Sequence, residues 1–169
     1  LRQHVGLVTQ DVQLFNASVR DNLALFRPNV SDDKIITILE ELGLSTWYNA
    51  LPNGLDTELT TGGSGLSAGE AQLLAFTRVF LKDPGLVILD EPSSRLDPAT
   101  EQNINRAVER LLQDRTGIII AHRLSTVVKA DKIVVMDEKG IAEIGSHREL
   151  VNKKGGLYKK YWDLQVEEI

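Results

Sequence analysis

The stretch GLVILDE, residues 85–91, decides how the rest of the chain is read. Four apolar residues run without alternation and stop at two carboxylates, Asp90 and Glu91. An unalternating run of this length suits a strand covered on both faces, as in a parallel sheet. Upstream, residues 67–82 carry a helical pattern closed by Asp83-Pro84. Downstream, residues 97–114 read as a long helix with Asp97 at the N-cap and Pro98 in the first turn. TGIIIAH, residues 116–122, then repeats the buried-strand pattern and ends at His122. Near the start, HVGLVTQ, residues 4–10, reads as a strand ending at Gln10. Strands alternating with helices imply an α/β fold with a helix-covered parallel sheet.

Between Gln10 and residue 67 the pattern is mainly helical. Asn16 or Ser18 can cap a short helix, and Ser31 caps a clearer one whose Asp32 and Asp33 favour its positive end. Gly43 can stop that helix, residues 45–51 form another short one, and residues 51–65 read as loop. Beyond His122, residues 123–130 read as a short helix. Residues 132–137 and 140–146 read as two strands joined at Glu138, Lys139 and Gly140, and the tail from Ser146 as helices.

The 169 residues suit about one ordinary domain. The net charge of −5 argues against a nucleic-acid partner, because phosphate backbones select basic faces. Cysteine is absent, which excludes disulfides and thiolate metal sites. No apolar run approaches the roughly 20 residues that span a bilayer. Starting at Leu1 rather than Met suggests a piece of a longer protein.

In open α/β sheets ligands sit beyond the carboxyl ends of the strands. Gln10, Asp90, Glu91 and His122 would meet there. Asp90 suits Mg²⁺, a hard cation that prefers oxygen and keeps its waters. Glu91 could take a proton from an attacking water, and His122 could hydrogen-bond a γ-phosphate. Alone, each is more often a solvated or capping residue; together and in this order they form a site for a metal, a water and a proton transfer. The stretch TTGGSGLSAGEAQ, residues 60–72, adds a glycine-rich loop at a helix N-terminus, where backbone N–H groups can hold an anion. Ser67 and Glu70 have the spacing of a capping box.

In this order the motifs resemble those of ATP-binding cassette (ABC) ATPases of the type fused to export-type transmembrane domains. LVILDE is similar to the Walker B strand and its catalytic glutamate, LSAGE to the signature motif, and residues 94–97 to the D-loop. Residues 118–150 are similar to the switch-histidine region, and VTQDVQLFNASVRDNL to the exporter Q-loop. The resemblance covers nearly all of the chain and implies a P-loop NTPase-like (RecA-like) parallel sheet with helices on both faces, plus an α-helical subdomain. The implied divisions are 1–15 for the strand and Q-loop, 16–75 for the helical subdomain, 76–150 for the C-terminal half of the ATPase core and 151–169 for a helical tail.

The resemblance implies that Glu91 polarises the hydrolytic water, Asp90 organises Mg²⁺, His122 contacts the γ-phosphate of ATP, and Gln10 links the metal to the coupling surface. Ser67 and Gly69 would donate to a γ-phosphate held by the opposite subunit, with Ala68 and Glu70 beside them, and Asp97 would link the two cassettes. The implied partners are transmembrane coupling helices and a second nucleotide-binding domain, as homodimer or heterodimer, at the cytoplasmic face of the cell membrane. Ala68 and Glu70 depart from the usual L-S-G-G-Q, residues 60–63 from the usual G-E-R-G, and Arg95 from the usual alanine.

No G-x-x-x-x-G-K-S/T loop occurs in the chain. The resemblance therefore implies a cassette without its Walker A region and the N-terminal part of the fold. Such a chain is expected to bind Mg-ATP weakly, hydrolyse it negligibly, and leave an apolar sheet edge or face exposed. Two other readings are a soluble ABC ATPase acting on nucleic acid or ribosomes, and a degenerate partner cassette that does not hydrolyse. The acidic balance argues against the first, and Glu91 with His122 against the second.

Overall fold

A computed structural model describes residues 4–9, 11–60, 66–90, 98–121 and 124–166. The chain divides into two compact units, Leu1–Ile120 and Ala121–Ile169.

The first unit is built on three parallel strands in the order β1 (Val5–Val8), β4 (Leu86–Asp90), β5 (Thr116–Ile120). The register sets Val8 beside Leu89 and Leu89 beside Ile119, so these three side chains share a face. Val8, Val87 and Leu89 are fully buried there with α4 (Ala68–Lys82) and α5 (Pro98–Leu112) in one apolar core. α5 contributes Ile104, Ala107, Val108 and Leu111, an i, i+3, i+4, i+7 stripe. At Gly6 the approach of α4 leaves no room for a side chain: a Cβ would lie 2.6 Å from Val79 Cγ1.

The opposite sheet face differs from the two-sided burial expected of GLVILD and TGIIIAH. Leu7 is 57% exposed, and Ile118 and Ile120 are 49% exposed. Leu7, Ile88 and Ile118 lie side by side in the register, so this is one continuous, partly open apolar surface.

Between β1 and α4 the chain forms α1 (Val19–Ala24), α2 (Asp32–Glu41) and α3 (Ser45–Asn49). Of the two candidates for α1, Asn16 and Ser18, it is Ser18 that caps it; Ser31 caps α2 as expected, both through their hydroxyls, and Gly43 stops α2 with φ 77°. The region read as loop carries more order than expected. Gly54–Asp56 is a 3₁₀ turn, and β3 (Glu58–Leu59) pairs antiparallel with β2 (Ala17–Ser18). Arg20 fastens these pieces, binding Asp32 through two nitrogens and Asp56 through a third.

In the second unit α6 (Leu124–Val127) precedes an antiparallel hairpin, β6 (Ile133–Asp137) and β7 (Gly140–Gly145), with an irregularity between Val135 and Met136. α7 (His147–Val151) starts with a capping box between Ser146 and Glu149. α8 (Leu157–Val166) buries Tyr158 against Ile133, Val135 and Leu150.

Candidate functional site

The three parallel strands end along one edge, with Val8 beside Leu89 and Asp90 beside Ile120. That is the edge at which the sequence places its chemistry. Asp90 closes β4 half-buried. Gln10, Glu91, Asp97 and His122 lie outside the described residues. Among the described residues no cluster of three or more His, Cys, Asp or Glu could hold a metal alone. A single carboxylate fits Mg²⁺, which takes one or two protein ligands and completes its shell with water and substrate phosphate oxygens.

The second part of the site is the start of α4, where the expected capping box is present. The Ser67 hydroxyl accepts the Glu70 N–H at 3.2 Å, and Glu70 Oε2 accepts the Ser67 N–H at 2.8 Å. This settles two donors reciprocally and leaves the Ser67 O–H proton free to turn toward a ligand. Ala68 and Gly69 are the first two residues of the helix, so their N–H groups have no acceptor within it. Ser67 and Ala68 are exposed, whereas Gly69 is buried. A Cβ on Gly69 would run into Thr100 Cγ2 near the start of α5. Gly69 therefore has a packing duty as well as the ligand duty expected of it: it brings the first turns of α4 and α5 together.

A third feature escaped the sequence reading. Arg78, midway along α4, donates Nε to the Asn22 carbonyl at 2.9 Å and Nη1 to the Gln13 carbonyl at 2.9 Å. Its Nη2 reaches Asn22 Oδ1 at 3.3 Å, and the guanidinium lies 6.0 Å from the Phe15 ring centroid. Burial lowers the Arg78 pKa below its ordinary value. Fully buried Asn22 accepts the Phe15 N–H at 2.8 Å and donates to the carbonyls of Phe15, Ala17 and Ser18. The signal was a lone arginine between Thr77 and Val79 in an apolar helix, where a buried charge demands partners. Phe15 also meets Phe26 edge-to-face at 5.7 Å, and Phe26 is 58% exposed. Leu25 and Phe26 both adopt left-handed backbone, with φ 52° and 58°.

The ABC transporter family model matches residues 1–94, more than half of the chain. The chain belongs to the ABC transporter family. It is 42% identical over 168 residues to an uncharacterized ABC transporter ATP-binding protein of Bacillus subtilis, covering 99% of this chain and 28% of that protein. A putative multidrug export ATP-binding/permease protein of Staphylococcus aureus is 42% identical over 165 residues, with 98% of this chain and 28% of that protein covered. Heavy metal tolerance factor 1 of Caenorhabditis elegans is 41% identical over 168 residues, covering 99% of this chain and 21% of that protein. Among solved structures, a bacterial Atm1-family ABC exporter with ATP bound superposes with a TM-score of 0.84 and 37% identity, over 97% of this chain and 28% of that one. This ABC transporter chain thus spans about a quarter of the length of these relatives, and its α/β fold with a parallel sheet is that of an ABC exporter's nucleotide-binding domain. No helix among the described residues is long and apolar enough to cross a membrane.

Proposed function

We propose that this chain is part of the ATP-hydrolysing nucleotide-binding domain of an ABC exporter, at the cytoplasmic face of the cell membrane. The observation that carries the reading is the start of α4. Two exposed residues, a free hydroxyl proton and helix-terminal N–H groups open a 15-residue helix in a chain of this family. In this reading Ser67, Ala68 and Gly69 donate to the γ-phosphate of ATP held by a second nucleotide-binding domain. Glu70 stays occupied with the Ser67 N–H, which turns its charge to capping the helix.

Asp90 would hold Mg²⁺ together with Gln10; the ion would offset charge on the transferring phosphoryl oxygens. Glu91, directly after Asp90, orients and deprotonates the attacking water, His122 hydrogen-bonds the γ-phosphate, and Asp97 links the paired cassettes. We assign the exposed corner of Phe15, Leu25 and Phe26 to the coupling helices of the transmembrane partner. A relative named as an ATP-binding/permease protein supports a permease part beside this domain. Two adjacent non-glycine residues in left-handed backbone cost on the order of 1–2 kcal/mol each, and strain of this kind concentrates at binding surfaces.

The test is Glu91→Gln in the full-length protein. ATP turnover is expected to fall by about a hundredfold or more while nucleotide still binds, since one general base contributes roughly 10²–10⁴ in rate. Unchanged turnover would remove Glu91 from the mechanism.

A further inference from the structure

Arg78 ties together parts of the chain that lie far apart in sequence. Its guanidinium spans carbonyls 56 and 65 residues away, and one helical turn later Lys82 Nζ donates to the Val5 carbonyl at 2.7 Å. Val79, on the same side of α4, fills the space that Gly6 leaves open. α4 therefore grips β1 at its start and the chain beyond it at Gln13. Asn22, itself bonded to Arg78, holds that chain too, pairing with both the N–H and the carbonyl of Phe15 as a neighbouring strand would. Residues 11–15, which lead from Gln10 to the exposed Phe15–Phe26 corner, are thus fastened to α4 at Gln13 and to α1 at Phe15.

We propose that Arg78 and Asn22 form a clamp that positions residues 11–15, and with them the Phe15–Phe26 corner, on the middle of α4, so that this corner and the nucleotide-facing start of α4 move as one body. Arg78 lies 10 residues after Ala68, about 15 Å along the helix axis at the ordinary rise. From Glu70 to Lys82 α4 contains neither glycine nor proline, so nothing in that span lets the helix bend sharply. In this proposal the clamp carries displacement from either end to the other, alongside the apolar packing of α1 on α4. Arginine suits this post because its planar fork serves several acceptors at once, whereas a lysine ammonium is a single point donor on a flexible stem.

The experiment compares wild type, Arg78→Lys and Asn22→Ala in the full-length protein by hydrogen exchange and by steady-state ATP turnover. In Arg78→Lys, exchange at residues 11–15 should speed up by about tenfold or more, while that along α4 and β1 stays within about twofold. ATP turnover should show kcat lowered by about tenfold with KM within about twofold, as when an interaction outside ground-state nucleotide binding is lost. Asn22→Ala should act at the same residues; should it fail to fold, Arg78→Lys decides alone. Unchanged exchange at residues 11–15 would overturn the clamp. So would an equal rise over α4 and β1, which marks plain loss of stability, or a raised KM with kcat intact. The turnover measurement rests on the exporter reading and the exchange measurement does not. A wild type without ATPase would therefore sink that reading and leave the clamp to be judged by exchange.

Discussion

Gly69 illustrates how one position can serve two masters. Helix propensity alone favours alanine there by up to about 1 kcal/mol. Against this, a Cβ would overlap Thr100 Cγ2, and forcing a methyl into a packed site costs about 1–3 kcal/mol. The steric term is larger, so Gly69→Ala is expected to destabilise the first unit in chemical denaturation. Thr100→Ser removes the offending methyl and keeps the hydroxyl, so Gly69→Ala with Thr100→Ser should regain most of the loss. A double variant no more stable than Gly69→Ala would show that the contact with Thr100 is not the cause. The same comparison separates the two duties of Gly69. If ATP turnover in the full-length protein recovers together with stability, the glycine serves packing alone. Neighbouring Ala68 is exposed and carries a methyl without strain on the fold, so its departure from the usual glycine bears only on what docks there.

Helices of this chain are held by two kinds of contact, and only one kind is visible locally. Ser67 with Glu70 and Ser146 with Glu149 show the same serine–x–x–glutamate spacing and form the same reciprocal cap. The 3.6-residue stripe of α5 and the apolar runs of β4 and β5 are equally local. The β2–β3 pairing spans two residues a strand, too short for any alternation to announce it. The Arg78–Asn22 clamp joins positions 56 apart, and no spacing rule links them. For the candidate site, the edge where the strands end and the cap of α4 could be read in advance; the second constraint on Gly69 could not, because it comes from α5.

α8 is a further non-local case with a measurable consequence. Glu143 on β7, buried, accepts the Tyr158 N–H at 2.9 Å and pairs with Lys153 at 3.0 Å. The Tyr158 N–H first, and then Lys153, holds its carboxyl below the ordinary glutamate range. A depressed folded pKa means that the unfolded state binds the proton first as pH falls. The stabilisation is complete above the ordinary glutamate value of about 4.3 and is lost as pH drops through the folded pKa. Thermal melts followed by Trp162 fluorescence, with Trp47→Phe to silence the first unit, should be flat near neutrality and shift downward below about pH 4. Glu143→Gln should lower the neutral melting temperature and flatten that acid slope. A residual slope of the same sign will persist from Glu149, whose carboxyl the Ser146 N–H and hydroxyl also hold low. An undiminished slope in Glu143→Gln would place the acid sensitivity elsewhere.

Among the described residues two apolar faces are partly open, one on each unit. On the first, Leu7, Ile88 and Ile118 line up across the sheet. On the second, Val134 pairs with Ile144 and Met136 with Ile141, which puts four exposed apolar side chains on one side of the hairpin. Covering the remaining area of such a side chain releases on the order of 1–2 kcal/mol. Three or four together exceed what an isolated surface salt bridge offers, typically under about 1 kcal/mol. The chain studied alone is therefore expected to self-associate. Sedimentation velocity should show the weight-average coefficient rising with concentration. The rise should persist in about 0.5 M salt, where the Debye length of a few ångströms removes charge-driven contacts. Ile118→Lys should reduce the association by placing a charge in the exposed row of Leu7, Ile88 and Ile118, and Met136→Lys should do the same for the hairpin. If only one of them acts, that face carries the contact. A clean monomer across a wide concentration range would mean that these faces, though exposed, do not suffice to drive assembly.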